Sequence, residues 1–282
     1  MNPGQMVISP AYSFLEVHLS FNPKMDEHRF SIPAQILSQR QSKSRVVPEI
    51  DNKKLRVAGI KSLLPTSVML VVQMIIFFVS AGHIVGLRPW TFFGASFMHY
   101  ALSTAVQYKL NPKLLVERLK RKREGSKLWD EILIRISNLT VLIAVPAIAG
   151  LDIGRFHWSG LDVQFAALGF AFFIVSTILI NWAMAVNPHF EPTVRIQKDR
   201  GHKVISSGPY KIVRHPGYLA GILYTLSIPL IIGSAFTFIA VGIYVILFII
   251  RTSLEDKTLH EELDGYSEYA RQVKHKLFPG IW

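Results

Sequence analysis

The sequence predicts an all-α polytopic membrane protein with about six transmembrane helices, the last two forming a hairpin. Three observations predict it. Apolar runs recur after residue 62, each near the 20 residues or so needed to cross a hydrocarbon core of roughly 30 Å. Charged residues make up only 18% of the 282 positions and hydrophobic ones 50%, whereas soluble domains carry about one quarter charged residues. The basic residues are also segregated. Of 31 Lys and Arg, all but Arg88 and Arg155 fall in alternate connections. Basic residues collect on the cytoplasmic side of membranes. Six spans with both termini cytoplasmic therefore satisfy the pattern.

Residues 1–62 are polar and irregular, and the stretch from Gln35 to Lys54 reads as a disordered cytoplasmic tail. The first 30 residues, with Pro3, Pro10, Glu16, Pro23, Asp26 and Glu27, have no continuous apolar core and do not read as a signal peptide. The membrane domain occupies 63–282. Its first span is Leu63 to Val85. The second, Trp90 to Tyr108, has a mixed face with Gly94, Ser96, His99 and Ser103. The third, Ile132 to Leu151, is expected to kink near Pro146, and the fourth runs from Val163 to Val186. Gly217 to Ile250 is too long for one helix, and Pro229 with Gly233-Ser234 is expected to break it into two. This topology accounts for the net charge of +12 without a nucleic-acid partner. The absence of cysteine excludes disulfides, thiolate metal sites and a Cys nucleophile; no metal site is expected.

The chemistry-bearing part is 187–282. The loop after the fourth span is rich in titratable groups and runs straight into the fifth. Gly208-Pro209 marks a turn. Pro216 holds His215 extended and suits the first turn of a helix. The free N–H groups of that turn, beside Arg214 and His215, form a candidate anion site. After the hairpin, Arg251 and Glu255 lie four apart on one helical face, followed by an apolar stripe of Leu254, Leu259 and Leu263. Tyr266 and Tyr269 are expected to pack at the membrane interface. Taken singly, Arg214 and Arg251 read as juxtamembrane anchors. Taken together, the loop and the Arg/Glu helix converge on one end of one hairpin.

Ser207-Gly208-Pro209-Tyr210, Arg214-His215-Pro216-Gly217-Tyr218, Arg251 with Glu255-Asp256, Glu268-Tyr269 and Lys276-Leu277-Phe278-Pro279 occur in this order over about 80 residues. In order and spacing they resemble the isoprenylcysteine carboxyl methyltransferase family, whose C-terminal signature is shared with phospholipid methyltransferases. The stretch from Asn111-Pro112-Lys113-Leu114-Leu115 to Trp129-Asp130 also looks like bacterial members. The resemblance implies an S-adenosylmethionine-dependent methyltransferase acting on a carboxylate or amine of a lipid-like or isoprenylated acceptor in the membrane. It implies cofactor contacts at Gln197, His202, Lys203, Val204, Ile205, Tyr210, His215, Pro216, Gly217, Tyr218 and Glu255, with Arg251 meeting the acceptor. Asp256 departs from the Glu of the better-known eukaryotic members. No soluble stretch is long enough for a doubly wound nucleotide-binding sheet. A nicotinamide-dependent membrane reductase and a non-enzymatic scaffold or transporter are the competing readings. The reductase would want more phosphate-binding arginines, and the spans show no repeat of the kind common in transporters.

Overall fold

The computed structural model describes residues 52–120 and 124–282. Among these, every regular element is helical. The helices are α1 (Asn52–Ala81), α2 (Leu87–Leu110), α3 (Pro112–Arg118), α4 (Leu128–Phe156), α5 (Gln164–Val186), α6 (Pro216–Ile232), α7 (Thr237–Glu262) and α8 (Tyr266–Gln272). Each expected span corresponds to one helix. Four of them, α1, α4, α5 and α7, are long and apolar enough to cross a membrane. Helix α6 is apolar but has 17 residues, about 25 Å at 1.5 Å per residue. Helix α2 has the length, but buried Ser96, Ser103 and Gln107 lower its hydropathy.

Two boundaries differ from expectation. Helix α1 begins at Asn52, well before Leu63, and carries Pro65 in its interior. Proline frees a carbonyl one turn back, and next to it Ser62 Oγ donates to Gly59 O and Thr66 Oγ1 to Leu63 O, both at 2.9 Å. The rest of the expected disordered tail, 1–51, lies outside the described residues. Pro229 likewise sits inside α6. Of the expected breakers, Gly233-Ser234 makes the turn: Gly233 has a left-handed φ of 100°, and the N–H groups of Gly233 and Ser234 both donate to Pro229 O.

The expected irregularity at Pro146 takes the form of two π-helical stretches in α4, Thr140–Ala144 and Leu151–Phe156. In the first, Val145 N–H reaches back five residues to Thr140 O. In that register Pro146 would have donated to Val141 O, but it has no N–H. Gln73 Nε2 of α1 donates to Val141 O instead, at 3.1 Å.

Helices α1 and α4 touch backbone to backbone. A Cβ at Gly150 would lie 2.2 Å from Phe77 O, and one at Gly154 would lie 2.3 Å from Ala81 Cβ. Small residues at this spacing allow close packing in lipid, where apolar burial alone drives no association. Around this contact the core gathers Phe77, Phe92, Phe93, Ala149, Ile231 and Val241.

The two ends of the bundle are pinned differently. At one end, the open carbonyls that terminate α6 are taken by Arg88, which donates to Leu230 O, Ile231 O and Leu161 O at 2.6–2.8 Å. Buried Asp152 there accepts from Ser159 N–H, Ser159 Oγ and Ser234 Oγ. At the other end lie the charge-rich connections, tied by Asp130–Arg251, Lys127–Glu262 and Arg214–Asp256 pairs.

Candidate functional site

The loop 187–215 folds over the charge-rich end of α5, α6 and α7, and α8 closes it from the other side. Gly208 starts a 3-10 turn with φ 59°, and a Cβ there would meet Trp182 Nε1 at 2.9 Å. Only glycine therefore brings this turn onto α5. The turn buries Tyr210, whose hydroxyl accepts from Asn187 Nδ2 at 2.8 Å and whose carbonyl accepts from Tyr269 Oη at 2.7 Å. Tyr266 and Tyr269 are buried in the cluster around Tyr210 and Leu263. They are not interfacial anchors as expected, because α8 turns back onto the loop.

Between these elements lies a cleft. All eleven residues expected to contact a cofactor line it: Gln197, His202, Lys203, Val204, Ile205, Tyr210, His215, Pro216, Gly217, Tyr218 and Glu255. Arg251 does not. It lines an adjoining cavity that runs between α2, α4, α5, α6 and α7. Phe190, Glu191, Gly217 and Tyr218 belong to both walls.

Tyr218 is the partition. Its hydroxyl donates to Glu255 Oε2. Its ring lies parallel to that of His215, with centroids 5.6 Å apart, and the Arg251 guanidinium sits 4.8 Å from its centre. This distance is within cation–π range. Arg251 is buried, with Nε and Nη2 held by Asp130 at 2.6 and 3.2 Å and Nη2 also by Pro192 O at 2.6 Å. Among the described residues Nη1 has no hydrogen-bond partner. Asp130 is fully buried and its Oδ2 also accepts the N–H of Val194, which lines the cleft. One carboxylate thus fixes both the arginine of one cavity and the loop of the other.

The anion site expected at the start of α6 is reduced. Tyr218 and Leu219 N–H bond back to His215 O and Pro216 has no N–H, which leaves Gly217. Arg214 is committed elsewhere. Its Nε and Nη2 donate to Asp256 at 2.8 and 3.0 Å, and its Nη1 to Val273 O and Lys274 O. Asp256, 4% exposed, also accepts from Tyr266 Oη at 2.8 Å and lies 3.2 Å from His215 Nε2. It is a structural hub that holds α7, α8 and the chain leading into α6 together. Glu255, one residue before it, turns into the cleft instead.

The far wall is a network of loop side chains. Glu191 is bridged by Arg195 at 2.8 Å and Arg200 at 3.1 Å, and Arg200 also donates to Gln197 Oε1 at 2.8 Å. Arg195 holds the Asp199 carboxyl below its usual range through their 2.9 Å bond. The His189 and His202 rings lie 4.6 Å apart. Burial pushes His202 down to about 4, with His189 adding to the shift, and burial also lowers His189. Gln197 N–H donates to His202 Nδ1 at 3.3 Å, so the neutral ring carries its proton on Nε2. Burial raises Tyr210 and Tyr269 above the normal phenol value, and burial with the nearby Asp256 charge raises Tyr266.

Residues 167–261 match the model of the isoprenylcysteine carboxyl methyltransferase (ICMT) family. The ICMT match runs from α5 through the loop and hairpin to the end of α7 and spans about one third of the chain. Together with the apolar helices it supports a membrane methyltransferase. No curated protein matches the chain. Asp130, Tyr266 and Tyr269 lie outside the ICMT segment. Asp130 closes the stretch that looks like bacterial members, but nothing local pairs it with Arg251: an acid in the first turn of a helix reads as a partner of the helix dipole. His189 and Glu191 had a weak signal in the polar run that opens the loop.

Proposed function

We propose that the chain is an integral membrane S-adenosylmethionine-dependent methyltransferase whose acceptor is a carboxylate or amine of a lipid-like or isoprenylated molecule. One observation carries the reading. The cleft lined by the motif residues and the cavity holding Arg251 share the wall made by Tyr218, Gly217, Phe190 and Glu191. Two reactants in the two spaces would meet there.

The donor set of the cleft suits the cofactor's parts. Glu255 keeps one carboxylate oxygen beyond its bond with Tyr218 and can take an ammonium or ribose hydroxyls. The Tyr218 face suits a sulfonium cation. Lys203 and the Gly217 N–H suit a carboxylate. Val204, Ile205, Leu259 and Leu263 offer apolar surface to an adenine. When bound, S-adenosylmethionine supplies an electrophilic methyl group on sulfur. The residues then act by position. Arg251 Nη1 orients an anionic acceptor, and the loop network excludes water from the cleft. Holding two reactants aligned lowers a barrier by several kcal/mol without a protein nucleophile. The three arginines nearest the cleft are all committed, Arg195 and Arg200 to Glu191 and Arg214 to Asp256. None is left for a nucleotide phosphate, which disfavours the nicotinamide reductase. The clustering of basic connections supports placing this end of the bundle in the cytoplasm, with both termini.

The test is incubation of the purified protein with methyl-labelled S-adenosylmethionine and membrane lipid extract, followed by mass analysis. A labelled lipid is expected. Thermal stabilisation by NADPH but not by S-adenosylmethionine would refute the reading.

A further inference from the structure

The second cavity holds polar atoms that methyl transfer does not use. Four hydroxyls in its wall are committed, Tyr218 to Glu255, Tyr224 to Ser96, and Ser176 and Thr225 to helix backbone. Ser176 Oγ donates to Ala220 O at 2.7 Å, and Thr225 Oγ1 to Gly221 O at 3.0 Å. Two side chains differ. His99 Nδ1 lies 2.8 Å from Thr177 Oγ1, and the single Thr177 hydroxyl hydrogen is given to Phe173 O at 2.8 Å. His99 is therefore the donor in its bond with Thr177. This puts the ring proton on Nδ1 and the lone pair of the neutral ring on Nε2, which has no hydrogen-bond partner among the described residues. Tyr244 is 8% exposed and stacks on Phe248, with ring centres 4.2 Å apart. Its hydroxyl approaches the bare backbone of Gly221, where a Cβ would lie 3.0 Å from it, and it too has no hydrogen bond among the described residues. Both residues line the cavity.

Their depth follows from helix geometry. Arg251 and Tyr218 mark the outer level. His99 packs on Tyr224, with ring centres 5.5 Å apart, and Gly217 to Tyr224 is about 10 Å of helix rise. Tyr244 Oη, at the level of Gly221, is roughly one turn nearer the mouth. Ala220, Phe248 and Ile180 line the space between. A plain hydrocarbon tail would fill the cavity but leave an acceptor and a hydroxyl facing it unpaired, which is costly away from water.

We propose that the inner end of this cavity is a subsite for a hydroxyl on the far end of the acceptor, about 10 Å from the group that is methylated. His99 Nε2 accepts its hydrogen, and Tyr244 Oη, roughly one turn nearer the mouth, offers a second polar contact along the way. The acceptor is then an amphiphile polar at both ends. The inference rests on the proposed function for the head group at Arg251, and on the geometry of His99 and Tyr244 for the tail.

Binding of octanoate and of its ω-hydroxy analogue to the full chain in nanodiscs tests this, with labelled S-adenosylmethionine present so that methyl ester is measured in the same samples. The ω-hydroxy acid is expected to bind roughly two- to tenfold tighter, the span of one net hydrogen bond. His99→Phe should abolish the preference. Tyr244→Phe, which keeps the ring and the packing, should reduce it. Equal affinity of the two acids, binding of neither, or a preference untouched by both substitutions would overturn the subsite. A retained preference without methyl ester would instead refute methyl transfer to carboxylates and leave the subsite standing.

Discussion

Asp256 and Glu255 are adjacent acids on α7, and the structure gives them separable consequences. Asp256→Asn removes the charge that faces Arg214 through two bonds of 2.8 and 3.0 Å, in a site only 4% exposed. Breaking a buried pair by neutralising one partner costs roughly 3–5 kcal/mol. Arg214 keeps the carbonyls of Val273 and Lys274, so the low end, about 3 kcal/mol, applies. That corresponds to a melting point lower by on the order of 10 °C. Glu255→Gln breaks no such pair, because its side chain contacts Tyr218 and otherwise opens into the cleft. Its stability should stay within about 0.5 kcal/mol of wild type. If Glu255 holds the cofactor by a charge-assisted bond, affinity falls roughly ten- to a hundredfold. Thermal unfolding in mild detergent and S-adenosylmethionine titration, on the same two variants, separate the effects. An Asp256→Asn protein as stable as wild type, or a destabilised Glu255→Gln protein with unchanged affinity, would refute the assignment.

Three further outcomes are expected. Asp130→Asn removes the charge that anchors the buried Arg251 guanidinium and that accepts the Val194 N–H, so turnover should drop at least tenfold and cofactor affinity, measured by separate titration, should fall by less; equal losses in both would point to general unfolding. His202 is held near 4 in the folded protein, against 6.5 for the free side chain. Between those values the unfolded chain binds a proton that the folded chain does not, so stability is lost as pH falls from about 6.5 toward 4, and a melting-point scan over that range should flatten in His202→Gln. Single cysteines at exposed Gly86 and Gly160 should be labelled from the side opposite to one at exposed Glu124; labelling of all three from one side would overturn the topology.

Much of this site was legible because it is nearly contiguous. The cleft is built from one loop and the two ends of one hairpin, so Gly208-Pro209, Arg214-His215-Pro216 and Arg251/Glu255 fall in order along the chain. What escaped was long-range or directional. Asp130 is 121 positions from Arg251, and no local pattern pairs them. Arg214 looked like an anion ligand because its partner, Asp256, sits across the hairpin. Glu255 lines the cleft as the motif implied, but the partners that hold its neighbour Asp256, Arg214 and Tyr266, come from other elements and are a tertiary fact. The early start of α1 was hidden by its polar opening, Asn52-Lys53-Lys54, which reads as part of the tail before it.

The bond from Gln73 to Val141 O has a bearing on how the chain is assembled. A glutamine in α1 and a proline in α4 are each unfavourable when inserted alone, since either leaves a polar group facing lipid at a cost of several kcal/mol. Synthesis delivers α1 first, with its amide already in the bilayer when α4 arrives. The first span thus serves as a scaffold for the insertion of the later one. Glycines at 150 and 154 let the two approach closely enough for the amide to reach. Biogenesis should depend on the α1–α4 pair even though α1 contributes almost nothing to the walls of the cleft.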